Sequence, residues 1–531
     1  MAAWQCGLCS YVYDEEKEGT AWSELPDDWT CPICGSPRSA FSPVKTMANA
    51  ASAPAAPEDE PPAADYRCGL CSFLYDAGAQ GLGWDELPAD WSCPVCGSGR
   101  DAFAPEASVA PAKPAGPSSS AVDGEYLAEW RRAADDFETH MADIHHMAAT
   151  GESVIEPMRT RLPVFSWDEI LFKGAQLFKL PLNKSQPVST RTVIGPNAEA
   201  PMILETPVFV THMSFGALSR EAKLALATGS ARAGTAMCSG EGGVLPECLE
   251  AAHRYVFEYV PNKYSVTGEN LRRSDAIEIK IGQSAKPGMG GHLPGHKVTR
   301  EIAEIRGFRE GQDIISPSRF PEIRTREDLK ATVDDLRARS GGRPIGIKVA
   351  AGHLEEDIEV ALCAGADFVT VDGRAGGTGA APKVVKNATS IPTMFALSRA
   401  RRAMDKLGAK GVSLLITGGF RVASDVAKAL AMGADAVALG SAAMMAVGCQ
   451  QYRICNTGKC PLGIATQDPA LRARLDVEKS ATRVANFFRA LTSELREFAR
   501  LTGNEDVHGL SVKDLCTTNS EISDNTEIEH V

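Results

Sequence analysis

Eleven of the chain's 15 cysteines sit in short runs whose spacing suits metal ligation. Eight form four Cys-x-x-Cys pairs before residue 100: Cys6 and Cys9, Cys31 and Cys34, Cys68 and Cys71, Cys93 and Cys96. Two such knuckles separated by 21 residues supply four thiolates to a tetrahedral S4 site, which takes iron or zinc. Three more cysteines, Cys449, Cys455 and Cys460, are spaced x5 and x4 with Pro461 after the last. Short cysteine runs of this kind hold iron–sulfur clusters, and three thiolates point to a three-iron cluster or a four-iron cluster with one odd ligand. Disulfides are the competing use of so many thiols. They need an oxidising compartment, and MAAWQCGLCS has no basic segment leading into an apolar one, so export is not expected. Cys238, Cys248, Cys363 and Cys516 lack such neighbours and read as small buried residues, with a catalytic thiol as the alternative for Cys238.

The paired cysteines belong to a repeat. Residues 6–41 recur at 68–103 with a constant offset of 62, and Trp22, Leu25, Pro26, Trp29 and Phe41 return as Trp84, Leu87, Pro88, Trp91 and Phe103. A repeat of this length is one small folding unit used twice. About 40 residues cannot hold a fold by burial alone, so a structural metal is required. CGLCSYVYD with ELPDDWTCPICG, and CGLCSFLYD with ELPADWSCPVCG, resemble rubredoxin. The resemblance implies a one-electron iron centre in each module, whereas a structural zinc ribbon would use the same ligands without electron transfer. The Ala-, Pro-, Ser- and Glu-rich segments after each module read as linkers, which keep tethered carriers at high effective concentration. The expected organisation is module 1 at 1–44, linker 45–65, module 2 at 66–104 and linker 105–124. A helical cap (125–204, with 125–149 its clearest helix), a barrel (205–447), a cluster segment (448–470) and C-terminal helices with a mobile tail (471–531) follow.

The elements that must position this chemistry alternate. VFVTH (208–212), TAMCSG (235–240), YVFEYV (255–260), AIEIKIG (276–282), IGIKV (345–349), FVTVDG (368–373), LLITGG (414–419) and AVALGS (436–441) read as strands. Amphipathic stretches separate them, as at 327–339, where Leu329, Val333 and Leu336 share a helix face. Eight strands alternating with helices over about 240 residues describe an α/β fold, a (β/α)8 TIM barrel preceded by the two metal modules. Such barrels build their sites at the strand C-termini, where Met213, Ser214, Glu241, Lys280, Lys286, Lys348, Asp372, Gly376, Gly377 and Thr378 fall. Gly418-Gly419 and Gly440-Ser441 follow strands 7 and 8, a recurrent barrel device for cradling a phosphate, and FMN fits. Tight turns also want glycine, which is the plainer reading of each pair alone. Lys348 inside IGIKV suits the N1 side of a reduced flavin, where negative charge resides; otherwise it is a solvent-facing charge.

Taken together, these residues resemble a known family, the FMN-binding, iron–sulfur synthase domain of glutamate synthases, especially the short archaeal-type form. The matching pieces are HMSFGALS (212–219), SGEGG (239–243), KIGQSAKPGMGGHLPGHKV (280–298), DGRAGGTGAAP (372–382), ITGGFRVASDVAKALAMGADAVALGSAAM (416–444) and GCQQYRICNTGKCPLGIATQ (448–467). The resemblance implies reductive amination of 2-oxoglutarate by ammonia to L-glutamate, with reduced FMN as hydride donor and a 3Fe-4S cluster nearby. By the same resemblance Lys280, Lys286 and Arg306 bind the dianionic acid, and Glu241 holds ammonium or shuttles its proton. A guanidinium suits a bidentate grip on one carboxylate, and lysines supply point charge.

Departures limit the carry-over. His292 stands where the family has a glutamine that helps bind the keto acid. No amidotransferase domain and no glycine-rich β-helix accompany the barrel. No GxGxxG follows a strand, so direct NAD(P)H binding is not expected. Ammonia then comes from solution or a separate glutaminase subunit, and electrons from a rubredoxin reductase pass through the modules and the cluster to FMN. The alternatives are an N-methylglutamate synthase-like enzyme, another FMN-dependent reduction of a carbonyl or imine shaped by His292, and, in a different class, a rubredoxin-based electron-transfer protein. Hydrophobic residues at 44% and charged residues at 23% give an ordinary soluble composition, and a net charge of −13 argues against a nucleic-acid or anionic-membrane binder. The apolar run 426–448 contains Lys428 and Asp435 and reads as barrel core instead of a membrane span. A cytoplasmic homo-oligomer is expected.

Overall fold

Each of the eight runs read as strands is one, and in a computed structural model of the chain they close a parallel barrel. The barrel strands, first to eighth, are Val208–Val210, Ala236–Cys238, Arg254–Tyr259, Ala276–Lys280, Ile345–Ala350, Phe368–Asp372, Ser413–Thr417 and Ala436–Leu439. The first strand pairs with the eighth, Val208 opposite Val437 and Val210 opposite Leu439, so no edge is left open. The structure describes residues 135–531 continuously. In the modules it describes 3–6, 12–14, 20–26, 29–31, 37–38, 41–43, 66–68, 74–75, 84–88, 91–93 and 99–105.

Strand alternation divides the core in two. Ile277, Ile279, Ile345, Ile347, Val369, Val371, Leu414, Ile416 and Val437 face the helices. Phe209, Ala236, Cys238, Val256, Ala276, Phe368, Leu415, Ala436 and Ala438 fill the barrel instead, together with Ile194, Met202 and Leu204. Those last three come from an antiparallel hairpin, Thr192–Ile194 with Met202–Leu204, which plugs the barrel. The interior is therefore dry and apolar on the plugged side, and its charged residues occur at the strand C-terminal ends.

Helices behave as their capping predicts. Helix Arg326–Ser340 starts on a capping box between Thr325 and Asp328 and buries Leu329, Val333 and Leu336. Helix Val477–Leu501 is capped by Asp476 and packs on helix Arg220–Arg232. The contact needs Gly229, because a Cβ there would lie 2.6 Å from the Val484 Cβ. Two expectations differ. Within the described part of 125–149, only Met141–Thr150 is helical. Ahead of it the Asp135 carboxylate accepts the N–H groups of Phe137 and Glu138, a turn that competes with helix. The C-terminal tail is ordered: Leu515–Thr517 pairs with Ile170–Phe172 on one side and Glu529–His530 on the other, anchored by buried Ile522 and Ile528.

Each module carries a three-stranded antiparallel sheet, Ala3–Cys6, Val12–Asp14 and Phe41–Pro43 in the first, Tyr66–Cys68, Leu74–Tyr75 and Phe103–Pro105 in the second. Trp22 is packed by Trp4, Tyr13, Trp29 and Phe41 with ring centroids 4.9–5.5 Å apart, and Trp84 repeats this with Tyr66, Tyr75, Trp91 and Phe103. Arg38 and Arg100 cover the central tryptophans and donate to backbone carbonyls beneath them. No helix among the described residues is long and apolar enough to cross a membrane.

Candidate functional site

Charged side chains gather where the strands end. The third and fourth strands aim Glu258 and Glu278 inward at every second position, and His212, just past the first strand, lies between them. Its Nδ1 is 3.5 Å from Glu258 and its Nε2 2.9 Å from Glu278. The Gly240 N–H donates to Nδ1 at 3.2 Å. Burial raises the Glu278 carboxyl, but His212 and Lys348 more than offset this and hold it below its ordinary value. Burial likewise works against a charged Lys348, and Glu278 and Glu258 outweigh it and raise its pKa. Lys348 is thus an internal counter-ion within the barrel, neither solvent-facing nor in the wall of the cavity above.

That cavity opens at the C-terminal mouth, and Glu241, Lys280, Lys286, His292 and Arg306 all line it. Lys280 makes a very short hydrogen bond to Glu241. Burial disfavours both charges, but Lys280, the Ser316 hydroxyl and Lys286 hold the Glu241 carboxyl down at about 2, while Glu241 and Glu258 raise Lys280. Glu241 is therefore a fixed anion near neutrality, suited to holding a cation and too weak a base to carry protons. Lys286 differs: burial first, then Lys280, pull it down to about 8. Its Nζ donates to the Gly290 carbonyl at 2.9 Å. Arg306 is buried with its guanidinium 5.2 Å over the Tyr264 ring and Nη2 donating to the Phe215 carbonyl at 2.6 Å. Its Nε is buried without a partner, a donor that a ligand carboxylate would satisfy. Half-exposed His292 stands on a hairpin, His292–Leu293 paired with Ile314–Ile315, and meets Asp313 at 2.7 Å.

The candidate cofactor residues divide. Met213, Ser214, Gly377, Thr378, Gly440 and Ser441 line the cavity. Gly440 precedes helix Ser441–Val447 with no side-chain cap, leaving N–H donors for an anion. Glycine, hydroxyl and uncapped N–H groups on one wall, with cations on another, fit a phosphorylated flavin. Asp372, Gly376, Gly418 and Gly419 stand outside that wall. Asp372 instead accepts the Ser284 N–H and hydroxyl at 3.1 and 2.9 Å. Gly418 and Gly419 have φ of 115° and 101°, and Cβ atoms there would fall 2.7 Å from the Gly373 oxygen and 2.4 Å from the Ala375 Cβ. Their own packing accounts for both glycines.

Cys449 and Cys455 also line the cavity, and Cys460 is buried behind them. Burial pushes the Cys455 thiol up to about 11, with Cys449 and Cys460 adding to the effect. Such a group ionises only with a cation beside it, as an iron–sulfur core provides. The Gln451 backbone and side-chain N–H groups reach the Cys449 sulfur at 3.4 and 3.3 Å. Among the described residues no three His, Cys, Asp or Glu side chains converge on a single-ion site. In the modules Cys31 and Cys93 are buried beside the aromatic clusters. Cys6 and Cys68 end strands, but their side chains, with Cys9, Cys34, Cys71 and Cys96, lie outside the described residues.

Four further residues shape the site without having been singled out: His212, Glu258, Lys223 and Lys297. Polar letters inside the apolar runs VFVTH and YVFEYV were the available signal for the first two. Lys223 is fully buried and donates to the carbonyls of Met213, Cys238 and Ser239 at 2.8, 3.2 and 2.6 Å, tying the loops after the first two strands together. Lys297 lines the cavity and makes a very short hydrogen bond to the Cys455 carbonyl, so it touches both the pocket and the cysteine segment.

The family model for the conserved region in glutamate synthase matches residues 146–505, and the rubredoxin model matches 3–41 and 65–103. A glutamate synthase large subunit-like protein of Rhizobium meliloti is 37% identical over 411 residues, covering 74% of this chain and 93% of its own. An archaeal-type glutamate synthase (NADPH) of Thermotoga maritima is 38% identical over 382 residues, 67% of this chain and 75% of its own. An archaeal glutamate synthase (NADPH) of Methanocaldococcus jannaschii is 42% identical over 330 residues, 62% of this chain and 64% of its own.

Proposed function

The chain belongs to the glutamate synthase family, and on that premise we propose that its barrel makes L-glutamate by reductive amination of 2-oxoglutarate with ammonia. One observation carries the reading: Lys280, Lys286 and Arg306 converge with Glu241 on a single cavity that Cys449 and Cys455 also line. A pure electron conduit has no use for such a set. Arg306, with its unpartnered Nε, takes one carboxylate of the keto acid, and the two lysines supply charge for the rest. Glu241, ionised across the working pH range, holds ammonium beside the carbonyl carbon. Lys286, pulled down to about 8, is the group matched to giving a proton to the departing oxygen as the imine forms.

FMN held against Gly377, Thr378, Gly440 and Ser441 supplies, when bound and reduced, the hydride that the imine carbon needs. Cys449, Cys455 and Cys460 would hold the iron–sulfur cluster, of 3Fe-4S type, and the module cysteines one iron each. The names of the Thermotoga and Methanocaldococcus relatives specify NADPH. This chain has no dinucleotide fingerprint, so its reducing equivalents come instead through the modules from a reductase, in the cytoplasm. Ammonia arrives from solution or a glutaminase partner.

The test is anaerobic stopped-flow reoxidation of pre-reduced flavin by 2-oxoglutarate with ammonium, with methylamine, or alone. The expected result is rapid reoxidation with ammonium and a glutamate product by mass spectrometry. Reoxidation by methylamine in place of ammonium moves the reading to an alkylamine synthase. No reoxidation with either amine overturns it.

A further inference from the structure

The two modules differ where one of them meets the barrel. Arg67, in strand Tyr66–Cys68 beside the metal ligand Cys68, donates from Nη2 to the Gln312 Oε1 at 2.8 Å. Gln312 adjoins Asp313, which meets His292 at 2.7 Å and accepts the Gly295 N–H at 2.7 Å. Asp313 thereby clasps the hairpin of His292–Leu293 and Ile314–Ile315, whose His292, Leu293 and Pro294 form part of the cavity wall. The offset of 62 places Gln5 of the first module at the position of Arg67. A neutral amide cannot give the charge-assisted bond that a guanidinium gives. The first module is also the more acidic: residues 4–43 carry seven Asp or Glu and two Lys or Arg, whereas residues 66–105 carry five and two.

We infer that the hairpin clasped by His292 and Asp313 is the docking surface for the second module, seated by Arg67 on Gln312, with the first module as the distal copy. His292, the departure from the family's glutamine, is then part of a docking hairpin as well as of the substrate wall. The docking itself does not depend on the reaction. Its use rests on the function proposed above: ferrous iron in the second module is oxidised to ferric as one electron passes to the flavin, and two such transfers supply the pair each amination consumes.

Hydrogen–deuterium exchange of the full chain tests the docking directly. Arg67→Glu should raise exchange of the amides at 292–293 and 312–316 by about fivefold, the population change expected of one partly exposed charge-assisted hydrogen bond. Gln5→Glu, the same charge placed in the first module, should leave them unchanged. Gln312→Ala lies in the barrel and cannot unfold the module, so it must reproduce the effect of Arg67→Glu if docking is real. Gln312→Lys combined with Arg67→Glu should restore protection. Unchanged exchange in Gln312→Ala, or an equal rise in Gln5→Glu, overturns the inference. An intact dock in a protein whose flavin no amine reoxidises would overturn the reaction and leave the dock standing.

Discussion

The modules and the barrel keep their order by different means. In each module a central tryptophan, Trp22 or Trp84, is ringed by four aromatics, and Cys31 and Cys93 pack beside them. That is too little buried surface for a free-standing fold, so the metal must supply the remainder. In the barrel, two apolar layers surround a closed sheet. The charged groups, His212, Glu258, Glu278, Lys280 and Lys348, are concentrated toward the C-terminal ends of its strands. On the function proposed above, cysteine-bound iron would be structural in one region and serve electron transfer in the other. Burial without metal leaves a region free to place expensive charges where chemistry wants them.

Metal loss is the most severe way to test that contrast. Cys93→Ser should cost the second module its metal-coupled folding, on the order of 10 kcal/mol by analogy with structural zinc sites. Two of the chain's seven tryptophans, Trp84 and Trp91, lie in the second module, and the change in their fluorescence reports this. Cys460→Ser should abolish cluster absorption while the barrel's Tm by circular dichroism moves by only a few degrees, each kcal/mol being worth roughly 2–4 °C in a domain of this size. A barrel that melts with the cluster would break the comparison.

Next in size is Glu241→Gln, which strands the buried Lys280 charge and should cost about 3–5 kcal/mol in urea unfolding at pH 7. The sign of its acid dependence is fixed. A carboxyl held at about 2 in the fold, below its unfolded value, stabilises above that unfolded value and loses its contribution as pH falls toward 2. The variant should therefore show a flatter acid limb.

Lys286 gives a smaller, pH-gated effect. Its charge is lost as pH rises through about 8, so affinity for 2-oxoglutarate should fall roughly tenfold at higher pH, and Lys286→Arg should abolish the dependence in calorimetric titrations. Smallest is Lys297→Met. Removing a cation that bonds the Cys455 carbonyl favours the oxidised cluster and should lower its midpoint potential, by less than the 59 mV that equals a tenfold change in a one-electron couple. An unshifted potential would place Lys297 with the fold alone.

Strand positions were legible in the sequence because β-branched runs bounded by glycine are local signals. Which letters of a run face inward was not, since closure of the barrel decides it. Glu258 and Glu278 therefore went unmarked until His212 was seen between them. Glycine pairs are ambiguous for the opposite reason: Gly418 and Gly419 satisfy a crowded turn, and the same letters serve turn and phosphate loop. The tail was opaque because its order comes from pairing with a distant segment and from two isoleucines, not from any periodicity of its own.

That pairing also dictates an order of assembly. Ile170–Phe172 emerges early in synthesis, yet its sheet partner Leu515–Thr517 is made some 340 residues later. Each module, in contrast, joins its strands within about 40 residues. On the ribosome the modules are ready to capture their metal ions while the synthase domain still lacks its last strands.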